Sequence, residues 1–382
     1  MVRPMTGEFQ SADFIVVGAG IAGASAAYEL ARAGAYVIIV EMEEQPGYHT
    51  TGRSAATFVN SYGNDVIRGL NALSLPFFEA PPDGFGEHPL LSERGAMYIA
   101  GTDELEALDQ FLAEPPNAGL LTRLTPDQAL AMSPALNPEI VAGAAFEEAA
   151  RDIDVNALLM GYLRGFQAAG GKLVVGAEIK SLLRRAGKWE AETPVGILSA
   201  PIIINAAGAW GDDLAYLAGA RPVGLVPKRR TALTIDPGER IADWPLTISL
   251  DETWYFRPEA GDLLISPADE TPSPPCDSQP DELDIARCID RIQSVTRLRI
   301  NRLVSKRAGL RTFVHDKTPV VGFADDVDGF FWLAGQGGYG IQTSPALARM
   351  TVALAGGGEM PDELIERGIT TAAVGPMRLL TA

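Results

Sequence analysis

Apolar residues run without interruption from Phe14 to Val17, a glycine-punctuated turn follows, and small and apolar residues then recur from Ile21 to Ala33. A short apolar run bounded by turn residues predicts a buried strand, here Ala12 to Val17, and the longer stretch predicts a helix. Tyr36 to Val40 is strand-like again, so the chain opens as a β-α-β unit. The uncharged stretch Phe14 to Tyr28 lacks an immediately preceding basic flank and carries spaced glycines, which argues against a signal peptide. From Glu41 to Asn64 no period is visible, as expected of a long functional loop. Asp65 to Phe78 returns to helix.

Further along, Gly95 to Ala100 reads as a strand and Asp103 to Leu112 as a helix. Thr125 followed by Pro126 is a helix N-cap with proline in the first turn. Leu158, Tyr162 and Phe166 repeat every fourth residue in a helix from Asp154 to Ala169, closed by two glycines. Strands are expected at 172–175, 179–185, 188–193 and 201–205. Between 222 and 314 strands dominate (230–235, 246–250, 253–257 and 263–266), with one helix from Asp281 to about Ser294. Strands at 319–323 and 330–334, then a helix from about Ser344 to Leu354, end the pattern. The chain reads as α/β, a Rossmann-like domain interrupted by a mixed-sheet α+β domain. Residues 1–90, 141–220 and 317–382 are assigned to the first, and 91–140 and 221–316 to the second.

Composition narrows this picture by exclusion. A formal net charge of −18 argues against a nucleic-acid partner, which needs basic surface. No apolar stretch reaches transmembrane length, so stable membrane insertion is not expected. Cys276 and Cys288, with His49, His88 and His315, show no metal-ligand spacing, so no metal site is expected. Two free thiols suit a reducing, cytoplasmic compartment.

Gly18-Ala-Gly20-Ile-Ala-Gly23 changes the picture most. In a strand-to-helix turn the first glycine allows the tight bend, the second admits a pyrophosphate, and the third lets the helix pack on the strand. The amides of Ile21 and Ala22 begin a helix whose positive end suits phosphates. Glu41, at the end of the next strand, is placed for the adenosine ribose. This unit alone does not separate NAD from FAD. The chain then enters Gly52-Arg-Ser-Ala-Ala56 rather than another β-α unit. Later it carries Gly335-Gln-Gly-Gly-Tyr-Gly-Ile-Gln-Thr-Ser344 between a strand and a helix, so the choice falls on FAD. A second helix N-terminus suits the flavin edge where charge sits after reduction. Arg230 and Arg311 are either carboxylate binders or ordinary surface arginines. Tyr62 and Tyr255 are either hydroxyl donors or half-buried core aromatics.

These residues, with Gln45-Pro-Gly-Tyr-His49, Thr51-Gly-Arg-Ser-Ala-Ala56, Glu87-His-Pro-Leu-Leu-Ser92, Tyr162-Leu-Arg-Gly165, Asn205-Ala-Ala-Gly-Ala-Trp210, Pro227-Lys-Arg-Arg230, Ser249-Leu-Asp-Glu252 and Ala308-Gly-Leu-Arg311, resemble the D-amino acid oxidase superfamily end to end. The D-arginine dehydrogenase branch is the most similar part of it. The resemblance implies noncovalent FAD, since 309–313 has no cysteine to link it. It also implies oxidative deamination of D-amino acids to imino and 2-oxo acids, with hydride passing to flavin N5. By position, Arg230, Tyr255 and Arg311 would hold the substrate carboxylate, the Gly338 carbonyl the amine with Gln342 nearby, and Tyr62 the side chain. Candidate cofactor contacts are Gly18, Gly20, Ile21, Ala22, Gly23, Glu41, Thr51, Arg53, Ser54, Ala55, Ile179, Gly208, Trp210, Gly337, Gly338, Gly340, Ile341, Gln342 and Thr343. Residues 54–63 would form a mobile lid.

Ala96 and Thr57 stand where the branch has its guanidinium-binding glutamate and an active-site histidine. Ala96 therefore points to neutral rather than basic substrates, because a buried cation needs a partner. Rival readings are a secondary-amine dehydrogenase for sarcosine-like or hydroxyproline-like substrates, a non-catalytic flavin-binding subunit, and an NAD dehydrogenase. Expected partners are a small amino acid and an electron acceptor, a quinone or other carrier.

Overall fold

The computed structural model describes residues 9–379, so the first eight and last three residues of the expected cofactor domain lie outside the described residues. Phe14–Val17 lies inside a six-stranded sheet between Val37–Val40 and Ile202–Asn205. Lys172–Val174 lies beyond the first neighbour, and Phe330–Ala334 then Val320–Phe323 beyond the second. All adjacent strands are parallel except the last pair.

A strand covered on both faces needs apolar residues at every position. Phe14 and Val16 share a core with helices Ile21–Arg32, Val155–Ala168 and Gly340–Ala355. Ile15 and Val17 share another with Leu182, Trp189 and Leu198 of a four-stranded sheet. Leu158, Tyr162 and Phe166 are buried as their spacing requires, and Asp154 caps their helix through the Ala157 amide. Thr125 and Gln128 form a reciprocal capping box, as the Thr-Pro start predicts.

The second sheet has nine strands, drawn from residues 96–147 and 226–313. Its long strand Val226–Ile235 pairs antiparallel with Ser305–Phe313, placing Lys228 opposite Arg311 and Arg230 opposite Gly309. Side chains alternate between the faces of a strand. Lys228, Arg230 and Arg311 therefore share one face. Arg229 takes the other, where it pairs with Asp284 of helix Glu282–Val295 at 2.7 Å. That helix covers the far face with Cys288 and Ile292, leaving the arginine face toward the parallel sheet's loops.

Two boundaries differ from the sequence reading. Gly143–Glu147 belongs to the nine-stranded sheet beside Ala96–Ala100, so the chain leaves that sheet after 147 rather than at 141. Its Gly-Ala-Ala start carries no strand signature; pairing on both sides makes it a strand. The last long helix begins at Gly340, not Ser344, and contains Pro345. Proline deprives the Ile341 carbonyl of its amide, and the Ser344 hydroxyl donates to that carbonyl at 2.9 Å instead. Among the described residues no helix is long and apolar enough to cross a membrane.

Candidate active site

Where Phe14–Val17 turns into its helix, side chains have no room. Gly18 takes φ +102°, and a Cβ there would stand 2.5 Å from the Ala206 carbonyl oxygen. A Cβ on Gly23 would stand 1.9 Å from the Gly18 carbonyl oxygen, so helix and turn touch backbone to backbone. Gly20 keeps the backbone bare beside an open cleft of about 1780 Å3. The helix N-terminus points donors and its positive dipole end there. Buried Glu41 accepts from the Ala19 amide at 2.7 Å and the Glu43 amide at 3.0 Å, and the Thr51 hydroxyl accepts from Ile21 N at 3.0 Å. Ala22, Ile179, Gly208 and Trp210 complete this end.

The other end of the cleft is lined by Gly337, Gly338, Gly340 and Ile341, where helix Gly340–Ala355 begins. A Cβ on Gly337, at φ +54°, would meet the Phe313 ring at 2.1 Å. Two glycine-cleared helix N-termini thus open on one trough. This donor set fits an elongated dinucleotide, with phosphates at the first turn and an electron-rich ring at the second.

A second cavity of about 760 Å3 joins the trough through residues that both share: Ser54, Ala55, Arg230, Tyr255, Arg311, Gly338 and Ile341. Tyr62, Tyr98, Leu246, Ile248, Ala268, Arg257, Glu252 and Gln342 form other walls. Arg311 Nη1 donates to the Tyr62 hydroxyl at 3.4 Å, and among the described residues no carboxylate lies within ion-pair distance of its guanidinium. A Cβ on Gly338 would stand 3.0 Å from Arg311 Nη1, so glycine lets the guanidinium lie against the second loop. Arg230 is partly committed: its Nε donates to the Asp269 carbonyl at 2.8 Å and its Nη2 faces Glu270 at 3.4 Å. Gln342 accepts from Val59 N through Oε1 at 3.1 Å, while its buried Nε2 has no partner.

Several expected positions land elsewhere. Gly23 packs behind the turn, outside the cleft's lining. Thr343 is fully buried, and both its amide and its hydroxyl bond the Tyr339 carbonyl within its own helix, so it lines neither cavity. Gln342 lines the second cavity only. Arg53 borders the trough, but its guanidinium is held by the Ser278 and Ala308 carbonyls and by Asp277. Ala96 is fully buried among Val59, Leu246, Tyr255 and Leu264, lines neither cavity, and faces Glu147 across the strand pair. The nearest acidic side chain on that face thus comes from a neighbouring strand.

The segment 54–63 covers both cavities but is stitched down rather than loose. Arg257 donates to the carbonyls of Ala55 and Ala56 and to the Thr57 hydroxyl. Thr57–Phe58 pairs with Arg151–Ile153. Glu147, fully buried, accepts from the amides of Asn60 and Ser61, the Asn60 side chain and the Ser61 hydroxyl at 2.6–3.0 Å. Its lack of apolar period reflects polar tethering, which periodicity cannot report. Sequence reasoning missed Arg257, Glu147, Tyr98 and Glu252. Arg257 had a signal, sharing a strand face with Tyr255 two residues earlier, and Glu252 stood in the Ser249 to Glu252 stretch without a role assigned to it. Burial, then Glu147, raises the Tyr98 hydroxyl far above its ordinary pKa. Glu252 is exposed at the cavity mouth, and the protein atoms around its carboxyl push its pKa up.

A family model described as FAD dependent oxidoreductase matches residues 13–354. Human mitochondrial dimethylglycine dehydrogenase is 24% identical over 95% of this chain and 45% of its own length, so the chain spans less than half of that relative. Hydrogen cyanide synthase subunit HcnC of Pseudomonas aeruginosa is 23% identical over 87% of this chain and 89% of its own. The crystal structure of L-proline dehydrogenase from P. horikoshii superposes with a TM-score of 0.82 at 20% identity, covering 98% and 99% of the two chains, a likeness of fold.

Proposed function

We propose, from the premise that this chain belongs to the FAD-dependent oxidoreductase family, that it oxidises the C–N bond of a small amine carrying a carboxylate, a D-α-amino acid in the first reading. FAD is its cofactor and, when bound, supplies the hydride acceptor. The observation that carries the proposal is Arg311, a guanidinium facing the junction of trough and cavity without a carboxylate partner. A desolvated cation so placed is completed by an anionic ligand, and a guanidinium fork takes a carboxylate in two parallel hydrogen bonds. Tyr62 and Tyr255 add hydroxyls, and Arg230 adds the donors that Glu270 leaves free. The Gly338 carbonyl, beside Arg311, accepts from the substrate amine and turns its carbon toward the trough. Leu246, Ile248 and Tyr98 keep water from the far wall. Among the described residues no side chain at the junction is placed as a general base, so the amine reacts in its neutral form. A quinone or other carrier takes the electrons onward.

A second reading, an N-methylated or otherwise secondary amine, is favoured by the dimethylglycine dehydrogenase likeness. The same guanidinium would anchor its carboxylate. Anaerobic mixing of the flavoprotein with D-amino acids, L-amino acids, sarcosine and N,N-dimethylglycine separates the readings. Fastest bleaching of the flavin by a D-amino acid supports the first, and bleaching by the N-methylglycines alone supports the second. If no carboxylated amine bleaches it, the proposal fails. An oxygen electrode run beside an artificial acceptor tests the carrier.

The FAD is expected to be noncovalent. Neither Cys276 nor Cys288 lines the trough, Cys288 lying in the core beneath the far sheet face. Acid precipitation should leave the yellow colour in the supernatant; flavin retained by the pellet would contradict this.

A further inference from the structure

Glu147 is fully buried, yet among the described residues no cation stands within ion-pair distance of its carboxylate. Four hydrogen bonds meet it instead, all from two consecutive residues of another segment. Its Oε1 accepts from the Asn60 amide at 2.7 Å and the Asn60 side chain at 2.8 Å. Its Oε2 accepts from the Ser61 amide at 3.0 Å and the Ser61 hydroxyl at 2.6 Å. Hydrogen bonds to a buried carboxylate are strong, and leaving one unmade costs the desolvation of the group. The Ser61 hydroxyl gives its one proton to Glu147, so the Tyr98 hydroxyl, 3.0 Å from Ser61 Oγ, is the donor of that contact.

Asn60 and Ser61 are the middle residues of a turn that the Tyr62 amide closes by donating to the Val59 carbonyl at 3.4 Å. Such a turn leaves its two inner amides unpaired, and buried amides need partners. Glu147 takes both. The Val59 amide goes to Gln342 Oε1 at 3.1 Å, so every backbone amide from Val59 to Tyr62 has a fixed partner. Tyr62 is the first residue beyond the tether. Its oxygen accepts from Arg311 Nη1 at 3.4 Å, and its ring packs on Tyr339 of the second glycine-rich loop, centroids 4.9 Å apart. Among the described residues no acceptor takes the Tyr62 hydroxyl proton, which leaves it for the anion that Arg311 receives. Misplacement of such a group by about 1 Å is enough to lose its contact.

We propose that Glu147 is a positioning residue: it holds the 59–62 turn so that the Tyr62 hydroxyl stands beside the Arg311 guanidinium, and the carboxylate pocket is formed before a ligand arrives. The inference rests on Arg311 as the carboxylate anchor. Glu147 lines neither cavity, so it acts on the ligand only through the turn. A pocket fixed in this way spends little of the ligand's binding free energy on ordering the residues that receive it.

The test uses the FAD-loaded enzyme and hexanoate, a carboxylate without an amine for the flavin to oxidise, with binding read from the flavin absorption spectrum. Tyr62→Phe and Glu147→Gln should each weaken hexanoate about 3- to 10-fold, the size of one hydrogen bond, with FAD content at the wild-type level. The double variant should bind no more weakly than the weaker single one, because side chains that act through one contact are not additive. Ser61→Ala is a milder change that leaves the Ser61 amide on Glu147. It should give a smaller loss that Tyr62→Phe likewise absorbs, and this second cycle decides the point if Glu147→Gln does not fold. Losses that multiply in either cycle, wild-type hexanoate binding in Glu147→Gln, or flavin lost from that variant would each overturn the role given to Glu147 while leaving the Arg311 anchor standing. Failure of hexanoate to bind wild type would remove the anchor, and this inference with it.

Discussion

Arg311→Ala should lower kcat/KM by about 30-fold to several-thousand-fold while FAD content stays at the wild-type level. Losing one partner of a desolvated charge pair costs about 2–5 kcal/mol, and each 1.4 kcal/mol is a factor of ten. The full range applies because among the described residues no carboxylate pairs with Arg311, so in the proposed reading the substrate completes it. Arg230→Ala should cost less, since Glu270 and the Asp269 carbonyl already share that guanidinium. Arg311→Lys should recover little, because an ammonium cannot reproduce the planar fork. Steady-state kinetics and flavin absorbance per protein measure both quantities. Wild-type kinetics in Arg311→Ala would remove the anchor. Flavin loss in proportion to activity would instead make Arg311 a cofactor residue.

Gly23→Ala should yield protein largely without FAD. A single methyl group at this position would lie 1.9 Å from the Gly18 carbonyl oxygen, a backbone atom that cannot swing aside as a side chain could. Overpacking of this kind costs about 1–3 kcal/mol or more, and relief requires the helix to move off the turn that carries Gly20 and the phosphate-facing amides. Gly34→Ala is the control. It lies past the same helix at φ +94° with nothing within 4 Å of a Cβ, so it should lose about 1–2 kcal/mol of stability through backbone strain and still purify yellow. Flavin content and melting temperature of the two variants decide the point. A Gly23→Ala protein that retained full FAD would show that the close packing at the turn is dispensable.

A carboxylate lost from one strand position was not evidence that the pocket lacks charge. Ala96 has a carboxylate opposite it, from Glu147, and that group is spent on the backbone of residues 60 and 61. The carboxylate that does face the cavity comes from a turn more than a hundred residues further on. Ala96→Glu would therefore crowd a second carboxylate against Glu147, and is a poor way to restore binding of basic substrates.

The sequence by itself determined what depends on neighbours in the chain. Phe14 to Val17, the three glycines after it and Glu41 are legible because a buried parallel strand needs an apolar run and a tight turn needs glycine. The four-residue period at Leu158, Tyr162 and Phe166 and the Thr125 cap are legible for the same reason. Arg230, Arg311, Tyr62 and Tyr255 could be named as candidates, but only the tertiary structure brought them to one junction, through the register that sets Lys228 opposite Arg311. It alone decided that Arg230 is shared and Arg311 is not, that Thr343 bonds its own helix, and that residues 54–63 are tethered. Those outcomes rest on hydrogen bonds and charge pairs between segments up to 283 residues apart, such as Gln342 to Val59. Partner choice among polar groups is settled by distance and burial, which no local pattern of residues encodes.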